Sequence, residues 1–174
     1  QKTVNLMQDG DTITVGSGER LELKGQSAGV NVTQVTRGGT GGYQVTGQSG
    51  GIIDANAYSF NYLGGPGQAS GLVIQNGATV TSLDNGAFDN KAIADAGTDA
   101  FILVDENVIG NGAPSLVIDA LSFVNTGATA NCNLNTTGAF GTGYWQLTNA
   151  TGAFAGEAND CDNNVADADP GRFQ

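Results

Sequence analysis

The sequence contains no histidine. That absence removes the commonest general base, every Ser-His or Cys-His nucleophile arrangement and the usual catalytic zinc ligands. Charge is scarce as well: only 13% of the 174 residues are charged, six cations stand against 17 acids, and the net charge is −11. Lys2, Arg20, Lys24, Arg37, Lys91 and Arg172 are too few and too scattered to neutralise a run of phosphates, so nucleic-acid binding is not expected. The same field disfavours an anionic membrane surface. No stretch approaches the 18 or so apolar residues of a membrane span, and no charged-then-apolar signal segment opens the chain. Membrane insertion is therefore not expected, and the chain reads as a mature one.

Glycine is abundant instead, at 28 residues. Asn76-Gly77, Asn85-Gly86 and Asn111-Gly112 each follow closely on apolar residues, and a two-residue Asn-Gly loop is the strongest short-range hairpin signal because both central positions of a type I′ turn need positive φ. Apolar residues alternate in the first third at Val4 and Leu6, Ile13 and Val15, Leu21 and Leu23, Val30 and Val32, and Tyr43 and Val45, the pattern of strands with one wet face. Leu72-Val73-Ile74, Phe101-Ile102-Leu103-Val104 and Leu116-Val117-Ile118 are continuous runs, which suit strands covered on both faces. Ala87 to Ala96 is the one segment with a helical pattern, capped by Asp89 or Asn90. The fold class that follows is all-β: an antiparallel β-sandwich or jelly roll built of short hairpins. The alternative is a right-handed β-solenoid. Gly71-Leu72-Val73-Ile74-Gln75-Asn76-Gly77 and Ser115-Leu116-Val117-Ile118-Asp119 resemble successive coils of right-handed β-helix proteins such as polysaccharide lyases. No sustained period accompanies them, which leaves the solenoid second.

Residues 1–174 read as a single domain. Within it, 131–174 changes character: Asn, Thr, Gly and Ala dominate, Trp145 and Leu147 are its main apolar anchors, and Cys132 and Cys161 are the only cysteines of the chain. Their spacing fits neither a metal nor a redox motif, so a disulfide stapling this weakly cored region is expected, worth about 3.5 kcal/mol in the chain-entropy account. Two free buried thiols are the alternative. The acidic string supplies hard oxygen ligands at Asp160, Asp162, Asn164, Asp167 and Asp169, the chemistry that Ca²⁺ selects, although it lacks the glycine and closing glutamate of an EF-hand. The cofactor expectation is none, with Ca²⁺ as the one candidate. Asp9-Gly10-Asp11 offers two more carboxylates but reads first as an inter-strand turn.

Without histidine, catalysis by this chain rests on paired carboxylates. Asp54, Asp105, Glu106 and Asp119 lie near apolar runs, and the adjacent Asp105 and Glu106 point to opposite faces of a strand, so no catalytic residue is assigned and the chain is not expected to be an enzyme. A stronger inference comes from the sheet edges. Strand-rich monomers guard exposed edges with lysine or proline, and this chain has three of each. Either the sheet closes on itself or copies of the chain cover it. The N-terminal segment around Val4 and Leu6 alternates, ends at a turn, and suits insertion as an added strand in a neighbour; pairing within its own sheet is the plainer outcome. The expected function is that of a secreted, extracellular or cell-surface structural or adhesive protein, a self-assembling subunit of a filament, surface layer or particle shell. The alternative is a carbohydrate-binding or carbohydrate-active β-domain with glycans as partners.

Overall fold

The computed structural model describes residues 2–27, 30–64, 70–90, 100–112, 114–124, 126, 132–139, 141–162 and 172–174. Three strands make the first coil: β1 (Lys2–Leu6), β2 (Asp11–Val15) and β3 (Arg20–Lys24). The second coil consists of β4 (Thr33–Arg37), β5 (Tyr43–Gly47) and the first half of β6 (Ile52–Asn61). The far half of β6 opens the third coil, which continues through β7 (Leu72–Ile74) into β8 (Thr79–Asp89), and the far half of β8 opens the fourth. That coil continues with β9 (Ala100–Asp105), the single-turn helix α1 (Glu106–Ile109) and β10 (Leu116–Asp119). β11 (Ser122–Phe123), β12 (Cys132–Thr137) and β13 (Trp145–Thr148) follow, and a 3₁₀ turn (Glu157–Asn159) leads to the last residues.

Every ladder between these strands is parallel. One sheet runs β1-β4-β6-β8-β11 with β3 also on β6, a second runs β12-β9-β7-β5-β2, and a third pairs β10 with β13. The antiparallel sandwich or jelly roll expected from the Asn-Gly steps is overturned by this pairing. The fold is the β-solenoid placed second.

The reason lies in what positive φ is used for. Gly77, at φ +81, turns the corner from β7 into β8, and its carbonyl accepts the N–H of Gly50 at 2.8 Å, whose own carbonyl accepts from Gly18 at 3.1 Å. Equivalent corners of successive coils therefore stack. Asn85 (φ +54) takes a second corner inside β8, and a Cβ on the next residue, Gly86, would stand 2.3 Å from the Tyr58 ring. Ala57, Ala120 and Asn149 hold the matching position of other coils with φ between +54 and +56. Asn111-Gly112 follows α1, where the Gly112 carbonyl accepts from Tyr144 N–H at 3.0 Å. In each Asn-Gly step at most one residue has positive φ, so none makes the type I′ turn of a hairpin.

Two further expectations change. Ala87–Asp89 belongs to β8 rather than to a helix, and the remainder of that segment beyond Asn90 lies outside the described residues; the helix that forms is α1, capped by the Asp105 carboxylate, which accepts from Asn107 N–H at 2.9 Å. The continuous apolar runs are covered on both faces only in part, at the start of β9, where Ala100, Phe101 and Ile102 are all fully buried. Leu72, Ile74, Ile102 and Val104 point inward and are fully buried, whereas Val73 and Leu103 are half-buried and Val117 is 51% exposed. The single wet face predicted for the first third continues through β7 and β10, whereas β12 is buried at five consecutive residues, Cys132 to Thr136.

Inward residues form columns along the axis, because parallel register sets like position on like position. Val4, Val35, Phe60, Phe88 and Phe123 make one column. Phe60 and Phe88 have centroids 5.7 Å apart, and Phe88 stacks on Phe123 at 5.2 Å. Ile13, Val45, Leu72, Ile102 and Leu134 make another. Trp145 and Phe173 join the same core. The disulfide expected between Cys132 and Cys161 is present, and it ties β12 to the segment after the 3₁₀ turn across a sequence separation of 29.

Phe88 sits at the centre of the aromatic column with contacts to four other rings. Phe88→Ala should lower the unfolding free energy by about 3–5 kcal/mol, read as a shift of the urea midpoint without a change in slope.

Candidate functional site

The first coil ends the core without covering it. Val4 is the inward residue opposite Val35, yet it is 42% exposed where Val35 is 1% exposed. Ile13, opposite buried Val45, and Leu21, opposite buried Ile53, are half-buried for the same reason. Among the described residues no strand pairs the outer edge of β1, β2 or β3. Gln48 N–H donates to the Val15 carbonyl at 2.9 Å, so Ile13 and Val15 turn their backbone groups to β5. The intervening Thr14 turns its own to the open side. Met7 and Val30, 68% and 53% exposed, belong to the loops of this coil. The segment singled out for assembly, Val4 and Leu6, is β1, and it pairs with β4 of its own chain. Asp9-Gly10-Asp11 is the turn from β1 to β2, and Asp9 and Asp11 accept backbone N–H groups of Gly42 and Gln8, each at 3.0 Å.

The side of this end is held by charge. Asp54, on β6, is gripped by Lys24 and Arg20, both from β3. The Lys24 ammonium and then the Arg20 guanidinium hold its carboxyl below the usual carboxylate range, against the opposing effect of burial. Four of the six cations and four acids fall within residues 1–37 (Lys2, Arg20, Lys24, Arg37; Asp9, Asp11, Glu19, Glu22), so this end of the chain is neutral and the −11 belongs to the remainder.

The other carboxylates weighed for chemistry do not converge. Asp105 caps α1. Asp119 accepts from the Thr148 hydroxyl and the Asn149 amide, each at 2.7 Å, and these two bonds hold its carboxyl below the ordinary range. Glu106 is buried against Arg172, with side chains 1% and 6% exposed. Arg172 also donates to the carbonyls of Gly143 and, at 3.0 Å, Gly110. Nothing in the sequence announced this pair, since its partners lie 66 residues apart by their own numbers.

Of the acids expected to ligate Ca²⁺, Asp160 and Asp162 are buried. Asp162 accepts the backbone N–H groups of Arg172 and, at 3.2 Å, Phe173. Asn164, Asp167 and Asp169 lie outside the described residues. Among the described residues no three of Cys, Asp and Glu come together in a group able to hold a metal ion, and no helix is long and apolar enough to cross a membrane.

No family model, no curated protein and no solved structure matches the chain. Function has therefore to be argued from the geometry of the chain itself.

Two substitutions test the ionic contacts. Asp54 has a lowered folded pKa, so its contribution is complete above the unfolded value near 3.9 and is lost as pH falls through the folded value. The stability difference between wild type and Asp54→Asn should accordingly be flat at neutral pH and shrink below about pH 4, as followed by urea unfolding at several pH values. Arg172→Ala leaves Glu106 buried without its counter-charge and should cost about 3–5 kcal/mol, seen in the same measurement at pH 7.

Proposed function

We propose that this chain is an extracellular structural or adhesive β-solenoid that assembles with copies of itself through the open strand edges of its first coil. The observation that carries the reading is the uncovered end of the core: Val4, Ile13 and Leu21 occupy column positions that are buried in the next coil. Solenoids need the ends of their columns covered, and among the described residues nothing covers these. The backbone groups of Thr14 offer strand pairing beside them. Electrostatics supports the same end, because two chains of net charge −11 repel least where each is neutral. The disulfide between Cys132 and Cys161 suits an oxidising, extracellular setting.

Sedimentation velocity over a wide concentration range, with electron microscopy of the heaviest fraction, tests this. Wild type should form larger species as concentration rises. Thr14→Pro and, separately, Thr12→Lys should remain monomeric with unchanged circular dichroism, because each guards the edge without touching the core. A wild type that is monomeric at every concentration would sink the proposal, as would assembly that persists undiminished in both variants.

A further inference from the structure

The third face of the solenoid is interrupted in the middle. β8 is paired to β6 and β10 to β13, but no ladder joins β8 to β10. The two strands meet at one end only, where Asp119 N–H donates at 2.8 Å to the Asp84 carboxylate instead of to a backbone carbonyl. The earlier corners between the second and third faces take residues 16–19, 48–51 and 75–78, whereas this coil places α1 and the residues up to 115 there. β10 is displaced, and a wedge-shaped fissure of about 240 Å³ opens between the strands.

Its chemistry is specific. Asn76, Thr79, Asn107 and Ser115 contribute amides and hydroxyls, Val80 and Leu116 contribute the apolar surface, and Trp145, 1% exposed, borders the fissure from the core. No charged side chain lines it. The facing edges of the two strands add backbone donors and acceptors that no described strand uses. Mixed donors and acceptors beside an apolar wall match a ring that carries hydroxyls on its rim and C–H groups on its face. The net charge of −11 disfavours an acidic ring. An extended peptide fits less well, since Asp119 N–H is already taken by the Asp84 carboxylate where the two strands converge.

We propose that the fissure between β8 and β10 binds a single neutral sugar residue. The site is separate from the first coil, and its occupancy does not depend on self-assembly. Trp145 is the only tryptophan of the chain, so its fluorescence reports on the site directly. The methyl glycosides of glucose, galactose, mannose and N-acetylglucosamine are titrated into the intact protein at millimolar concentrations, with saturation-transfer NMR as the second readout. At least one should give a saturable change in Trp145 emission, and Thr79→Val and Asn76→Ala should each weaken it roughly three- to tenfold without altering the melting temperature. The proposal fails if no glycoside gives a saturable response by either readout, or if binding is equally tight in both variants. It fails equally if the site answers only to an extended Thr-Val repeat peptide.

Discussion

Everything in this fold depends on each coil lying in parallel register on the one before it. A strand in the middle of the solenoid has its N–H and C=O groups divided between two neighbours, so a coil placed out of register would lose backbone pairing on both sides at once. Register also decides packing: once Val35 stands on Phe60 and Phe60 on Phe88, the aromatic column is set without any other constraint. The corners that allow it are backbone features. Gly18, Gly50 and Gly77 stack through their own peptide groups, and Asn85 and Asn149 extend amides to Asn56 and Asp119 on the adjacent residue position.

The all-β class, the half-buried strands and the disulfide were legible in the sequence because each depends on local chemistry. Alternation at Ile13 and Val15 or Leu21 and Leu23 says which side chains share a face whatever the neighbour's direction. Direction itself is not local. Asn76-Gly77 is compatible in sequence with a hairpin, which needs positive φ at both residues, and with this solenoid corner, which uses it at Gly77 alone. A period would have settled it, but the step per coil runs from 25 residues, with Thr33 opposite Tyr58, to 35, with Ala87 opposite Ser122. A faint signal was present all the same. Ser17-Gly18, Ser49-Gly50 and Asn76-Gly77 are each followed three residues after the glycine by an apolar residue, Leu21, Ile53 and Val80, which are the paired inward positions of β3, β6 and β8. The fissure was illegible for the opposite reason: it arises from a displaced strand, and no residue type in it is unusual.

The acids illustrate how little of a site can be read from residue type alone. Asp54, Asp105, Glu106 and Asp119 are all engaged in holding structure, by cations, a helix cap, a buried arginine and a corner amide respectively. The two lowered carboxyls have different causes. Asp54 is charged because cations surround it, Asp119 because neutral donors point at it. Only the first has an ionic contact that salt would weaken.

Magnitudes also constrain what the open first coil can do. Val4, Ile13 and Leu21 are already partly covered by their own coil, so completing their burial is worth about 1 kcal/mol each, a fraction of the 1.5–3 kcal/mol for a fully exposed side chain. Strand pairing along three five-residue edges adds about six hydrogen bonds at a net value of about 1 kcal/mol apiece. The sum, about 9 kcal/mol, falls within the 4–15 kcal/mol that association costs in lost freedom. Strand pairing is the larger of the two contributions, about 6 of the 9 kcal/mol, which is why a single proline or lysine on β2, leaving every core contact in place, discriminates an assembled chain from a solitary one.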